Sequence, residues 1–274
     1  MDPSYKNWLE EHPDFPHFFS ERGGVESLCA PLAFEPGTSW LYRVAIDWAG
    51  VLVERISGMT LEDYMRKNIF DPACAESLTF LPTDEIQTRK MAMCTRGLDG
   101  TPTVNTNGFG MNRPTTVQGT RFFSGGGGLY GTQKDYLRVL QAILRSDPRH
   151  GHSDPLISPN SFTELFKDSI PTGEGFTGTS GISKRVLPHG YFDPPATPDR
   201  VNHSIAGLLN LYEFPGRRKA RSVCWAGAAK TQWWIDPATG LAGIVGTQLL
   251  PPGSDPWYKV YVAFETGVYA ALVE

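Results

Sequence analysis

The chain has 274 residues, 40% of them apolar and 20% charged, which is enough material for a sizeable buried core and ordinary for a soluble globular protein. A net charge of −4 with no basic stripe gives no electrostatic footprint for nucleic acid. The start, MDPSYKNWLEEHPDFPHFF, lacks a basic region followed by an apolar run, and no stretch approaches the ~18 apolar residues of a membrane span, so neither a secretory signal nor a membrane segment is read and a cytoplasmic location is expected.

In chain order, residues 1–36 read as irregular, because Pro3, Pro13, Pro16, Pro31 and Pro36 interrupt short apolar runs. A helix follows. Ile46, Ala49, Val53 and Ile56 recur at spacings of three and four, Trp48 and Leu52 widen the stripe, and Gly58 stands where a C-terminal cap belongs. Thr60-Leu-Glu-Asp63 resembles a capping box and opens a second helix, which should end near Asn68 ahead of Asp71-Pro72. Residues 73–120 are mixed and turn-rich. Thr132-Gln-Lys-Asp135 caps a helix carrying Tyr136, Leu137, Val139, Leu140, Ile143 and Leu144, and Ser158-Pro159 begins another. Residues 171–202 read as a Gly/Pro-rich loop. Then the period shortens: Ile205–Tyr212, Ser222–Ala226, Gln232–Ile235 and Leu241–Gln248 read as an antiparallel meander, with Asp236-Pro-Ala-Thr-Gly240 as a turn. Trp257–Val273 suits a terminal helix lying across the sheet. Helices, then strands, then a helix make an α+β chain rather than alternating βαβ units.

Most motif tests fail. Gly125–Gly128 fits neither common phosphate-loop pattern and reads as a loop packed tightly against a helix start. Gly178-Thr-Ser-Gly181 lacks the spacing of a nucleophile elbow. His12, His17, His150, His152, His189 and His203 show no H-x-x-x-H and read as solvated loop residues, and Cys29, Cys74, Cys94 and Cys224 show no C-x-x-C and read as free thiols. No metal and no cofactor is expected.

Three ordered segments carry a resemblance. They are Pro36-Gly-Thr-Ser-Trp-Leu-Tyr42 continuing through Asp47-Trp48-Ala-Gly50 to Pro72, Phe123-Ser-Gly-Gly-Gly-Gly-Leu-Tyr-Gly-Thr-Gln-Lys-Asp-Tyr136, and Val223-Cys-Trp-Ala-Gly-Ala continuing to Trp233-Trp-Ile-Asp236. Together they resemble the serine β-lactamase-related family of class C β-lactamases, esterases and penicillin-binding proteins. The Asp47–Gly50 detail points to its fungal branch of lovastatin-type polyketide acyltransferases. The resemblance implies a β-lactamase/transpeptidase-like fold, an antiparallel sheet flanked by helices. It implies one partial domain over 1–274, with helices and loops over 37–202 and strands plus the last helix over 203–274.

In such proteins a Ser-x-x-Lys motif supplies the nucleophile, a tyrosine shares the proton traffic, and backbone N–H groups on an edge strand form an oxyanion hole. By position Tyr42 matches the tyrosine and Trp225-Ala226-Gly227 the oxyanion strand. Trp40, Trp233 and Trp234 are candidate walls for an acyl group. Read without the resemblance, Tyr42 is an aromatic loop residue beside Trp40 and Trp48, and the sheet tryptophans alternate between core and surface.

Two departures stand out. The usual Tyr-Ser-Asn is Tyr42-Arg43-Val44, and no Ser-x-x-Lys occurs in the 274 residues. The sequence is therefore expected to be incomplete at the N-terminus, with the nucleophile helix and the first strands outside it. The implied partners are a small-molecule acyl donor and acceptor, a carrier protein, and a complementing N-terminal segment, with self-association through an uncovered sheet edge. Two functions stay open. One is an acyltransferase or esterase of secondary metabolism acting on an ester or thioester. The other is a non-catalytic relative that binds an apolar small molecule or a protein partner in the vacated groove; a decayed gene with no function is a third possibility.

Overall fold

The computed structural model describes residues 3–16, 24–40, 42–97, 99–105, 119–120, 122–170, 201–250 and 257–272. Residues 171–200 of the expected Gly/Pro-rich loop, together with Gly178–Gly181, His17 and His189, lie outside them.

The first stretch is less irregular than its prolines suggest. Pro3–Glu11 forms helix α1, and a short 3-10 turn covers Val25–Leu28. Proline at a first helical position gives up only an N–H that would be unsatisfied anyway, and α1 ends before Pro13.

Helix α2 spans Ala45–Ser57 and stops at Gly58, whose left-handed φ of 68° lets its N–H return to Glu54 O. Helix α3, Leu61–Met65, is capped by Thr60, whose hydroxyl accepts the Asp63 N–H at 3.1 Å. It does not end near Asn68. A π turn carries it through Arg66–Phe70, with the Asp71 N–H bonding to Arg66 O, and this last turn buries Phe70 almost completely. Burial of one aromatic ring outweighs the local bias of a following proline. Helix α4 is Asp84–Thr88.

Two short strands, β1 (Cys94–Arg96) and β2 (Pro102–Val104), went unread in the sequence. β2 is exposed throughout, so no alternation of apolar residues marks it. Helices α5 (Gln133–Arg145) and α6 (Pro159–Leu165) start at their expected caps, Thr132 and Ser158.

The main sheet has five strands: β3 (Val201–His203), β4 (Leu208–Asn210), β5 (Val223–Ala226), β6 (Gln232–Asp236) and β7 (Leu241–Val245). They run in that order, each antiparallel to the next, as a meander with β3 and β7 at its edges. The stretch expected as one strand over 205–212 is shorter, because Ser204–Gly207 is a turn closed by a Ser204 N–H bond to Gly207 O, and Ile205 is exposed. The turn also creates β3, inside what read as loop. Strand β8 (Leu249–Leu250) leaves this sheet and pairs parallel to β1.

Helix α7, Trp257–Ala270, packs Tyr261 and Glu265 against the sheet, both with no exposed surface. Its Tyr261 ring meets Trp234 edge-on at 5.9 Å. Near its end the Tyr269 hydroxyl donates to Asp236 Oδ2 at 2.9 Å. The basic run Arg217-Arg218-Lys219 is partly spent inside this layer: Arg217 Nη2 donates to Glu265 Oε2 at 2.6 Å, and Arg218 Nε lies 3.2 Å from Oε1. Burial favours the neutral form of Arg218, but Tyr261, Cys224, Glu265 and Tyr269 around it hold the guanidinium charged.

Packing under Trp234 leaves no room for a methyl group. A Cβ on Gly243, directly opposite in the register, would stand 2.1 Å from the indole. Gly243→Ala should therefore destabilise the chain by about 1–3 kcal/mol through overpacking. A urea midpoint equal to that of the parent would refute the tight contact.

Candidate active site

Tyr42 stands three residues before α2 and is 49% exposed. Its hydroxyl pKa is raised, chiefly by burial and further by the Asp47 carboxylate, while a side-chain hydrogen bond from Trp225 pulls it back. The phenol is therefore protonated at neutral pH. It can pass a proton, but acts as a base only when another group lowers its pKa.

Asp47 lies in the first turn of α2 and is buried. Its Oδ1 accepts the Ser124 hydroxyl at 2.6 Å and the Gly126 N–H at 3.2 Å. A Cβ on Gly125 would meet Ile46 O at 2.8 Å, and one on Gly126 would meet Asp47 Oδ2 at 2.7 Å. Gly125 and Gly126 thus let the loop close onto the start of α2, as expected from the sequence, whereas a Cβ on Gly127 would meet open space. Asp47 ties that loop to the helix that Tyr42 precedes.

The ladder sorts the three residues of the expected oxyanion strand. Gly227 N–H is already used, donating to Thr231 O at 2.7 Å across the β5–β6 turn. Backbone groups alternate sides along a strand, so Trp225 also points toward β6 and Ala226 points away from it. On that other side β4 has ended, since its register stops at Leu208 opposite Cys224. The Ala226 N–H therefore points to the side on which β4 has ended. The Gly227 N–H does not share that side.

The tryptophans separate as well. Trp225 stands directly opposite Trp233 and Cys224 opposite Trp234. Trp225 and Trp233 are half-buried, so each keeps surface for a ligand. Trp234 is wholly buried beneath Tyr261 and Phe264 and offers none. Its expected role as a pocket wall gives way to a core role, because α7 covers that side of the sheet. Trp40 is half-buried and its ring lies 5.7 Å from His203.

The structure gathers Trp40, Tyr42, His203 and Trp225 into one aromatic group. Tyr42 is 5.5 Å and His203 5.4 Å from the Trp225 ring. The plain reading of Tyr42 placed it beside Trp40 and Trp48; its ring neighbour is instead Trp225, 183 residues further along. His203 read as a solvated loop residue, and no sequence signal distinguished it. In the sequence Asp47 stands out only within the Asp47–Gly50 stretch.

Among the described residues no group of His, Cys, Asp and Glu could hold a metal ion, and no helix is long and apolar enough to cross a membrane.

The family model "Beta-lactamase" matches residues 28–266. The chain belongs to the β-lactamase family. Lovastatin esterase from Penicillium rubens is 28% identical over 275 residues, covering 98% of this chain and 65% of that protein. Monacolin J acid methylbutanoyltransferase from Aspergillus terreus is also 28% identical, covering 92% of this chain and 59% of that protein. Unliganded simvastatin synthase from Aspergillus terreus superposes with a TM-score of 0.78 at 23% identity, covering 98% of this chain and 63% of that structure. The fold is β-lactamase/transpeptidase-like, and the relatives are fungal acyltransferases and esterases. The chain spans less than two thirds of the length of these three proteins.

Proposed function

We propose that this chain supplies the tyrosine and oxyanion half of an acyl-transfer site of fungal secondary metabolism. Tyr42 would handle the proton, Ala226 N–H would stabilise the oxyanion, and Trp40, Trp225 and Trp233 would line the acyl pocket. The reaction is transfer of an acyl group from an ester or thioester to an alcohol, or to water. The donor and acceptor are small molecules, with a carrier protein as an alternative holder of the acyl group. No Ser-x-x-Lys occurs in these 274 residues, so the activated serine of the family pattern would be supplied by sequence outside them.

The observation that carries this reading is the aromatic group around Tyr42 next to an uncovered apolar helix face. Ile46 is 53%, Leu52 58% and Ile56 78% exposed along α2, with Trp48 beside them. A contiguous exposed apolar face marks an interaction site. This one starts beside Tyr42, where a Ser-x-x-Lys helix must come close to share a proton with it.

The test is to co-express the chain with a Ser-x-x-Lys-bearing segment taken from a relative such as the lovastatin esterase, and to expose both to a fluorophosphonate probe. Labelling of the serine only when both parts are present supports the reading. Co-purification without labelling, or binding of an apolar ligand without turnover, supports the second reading, a non-catalytic binding protein. The missing Ser-x-x-Lys is the observation that favours it.

A further inference from the structure

The last pair of the β6–β7 ladder sets Gln232 opposite Val245. The next two residues, Gly246 and Thr247, run beside the turn that joins β5 to β6. The Thr247 hydroxyl donates to Ala229 O at 3.2 Å, and the Thr247 N–H donates to Lys230 O at 3.4 Å. One threonine thus holds the carbonyls on both sides of Lys230. The same hydroxyl accepts the Leu249 N–H at 3.2 Å, so its single proton is left for the turn.

We propose that Thr247 is a positioning residue for the Ala226 N–H: it holds the β5–β6 turn in a strained shape and so fixes the end of β5. This rests on the reading of Ala226 as the oxyanion donor and deepens it by naming the residue that keeps the donor in place.

The turn needs a hold from outside. Lys230 is buried and has a left-handed φ of 61°, a conformation that is unfavourable for a residue with a Cβ and persists only where the surroundings impose it. Within the turn, the Gly227 N–H donates to Thr231 O at 2.7 Å and the Lys230 N–H donates to Gly227 O at 2.9 Å. These two bonds set the peptide groups on either side of Gly227. The first of those peptides is the one that follows Ala226, so a shift of the turn moves Ala226 with it.

Thr247 is itself held from the helix side. The side-chain amide of Gln133, the first residue of α5, donates to Gly246 O at 3.1 Å. A Cβ on Gly246 would stand 2.9 Å from that Gln133 nitrogen and 3.5 Å from Thr231 Cα, so the segment is pressed between α5 and the turn. The start of α5 follows the glycine loop that Asp47 ties to α2. One path of chain and hydrogen bonds therefore links the helix after Tyr42 to the strand that carries Ala226.

The first test uses the isotope-labelled chain and needs no catalysis. Thr247→Val keeps the shape and removes only the hydroxyl. Hydrogen-exchange protection of the Gly227 and Lys230 amides should fall about tenfold, the effect of one hydrogen bond lost from a local opening, while the amides of the β6–β7 ladder keep theirs within about twofold. The Ala226 amide resonance should move. Thr247→Ser, which restores the hydroxyl, should return both protection and resonance to near their parent values. In the chain complemented by a Ser-x-x-Lys segment, Thr247→Val should lower the maximal rate of serine labelling about tenfold and leave the probe concentration for half-maximal rate unchanged, because a contact to the developing oxyanion is disturbed and probe binding is not. The proposal is overturned if Gly227 and Lys230 keep their protection in Thr247→Val, if the whole ladder loses it equally, if Thr247→Ser behaves like Thr247→Val, or if labelling keeps the parent rate despite the lost protection. If the exchange pattern appears but the complemented parent chain is not labelled at all, the acyl-transfer reading fails and the hold of Thr247 on the turn stands.

Discussion

Glu265→Gln should lower the unfolding free energy by about 3–5 kcal/mol, the cost of leaving buried cations without their anion. Glu265 has no exposed surface, Arg218 has none, and Arg217 is 5% exposed. Glutamine keeps the shape and can still accept a hydrogen bond from Arg217, so the loss isolates charge from volume. For a chain of this size the effect is a fall in Tm of roughly 10 °C, measurable by scanning calorimetry or a denaturant series. The position matters because Glu265 ties α7 to the β4–β5 connection that carries both arginines. Replacing Glu265, Arg217 and Arg218 together by leucine should recover much of the loss, since a buried ion triad replaced by packed apolar groups is often neutral. A Glu265→Gln variant within 1 kcal/mol of the parent (roughly the scatter of surface substitutions) would show that the arginines find other compensation.

Tyr42→Phe should cut the rate of serine labelling, or of acyl transfer, by about 10²–10⁴-fold in the complemented protein, the span typical of a positioned proton-transfer group. Stability should hardly change. The side chain is half-exposed, the ring contact with Trp225 survives, and only the hydroxyl is lost. This pairing of a large kinetic effect with an unchanged Tm separates a catalytic residue from a packing one. A rate within twofold of the parent would remove Tyr42 from the mechanism and favour the non-catalytic reading.

Much of the scaffold was legible because it is locally coded. Thr60, Thr132 and Ser158 each cap a helix with a side-chain oxygen, and Gly58 ends one with a left-handed φ. These signals act within four residues, so the sequence contains both partners. The β5–β6–β7 meander was equally readable from its period and the turn at 236–240. The β1–β2 hairpin, exposed all along β2, had no apolar alternation to reveal it, and β3 was hidden by a turn that divides an apolar run.

The site was legible in its parts and not in its assembly. Tyr42, Trp225 and the tetraglycine were located by motif. Which N–H emerges from the strand depends on where β4 stops, and that required the register. His203 enters only because a strand edge places it against Trp225, 22 positions away.

By itself the sequence determined the helix stripe of α2: Ile46, Ala49, Val53 and Ile56 recur at helical spacing whatever surrounds them. Only the tertiary structure decided which side of that helix is buried. It is the opposite one, where Asp47 and Gly50 pack against the glycine loop and Val51 is buried, while Ile46, Leu52 and Ile56 stay exposed. The same division applies to charge. Sequence shows Arg217, Arg218 and Glu265 as three ionisable side chains, and local rules would put each in water. Their burial together reflects a contact across 48 residues, whose geometry makes an otherwise costly desolvation tolerable. Periodicity is a property of neighbours in the chain, whereas burial is a property of what the rest of the chain brings to that face.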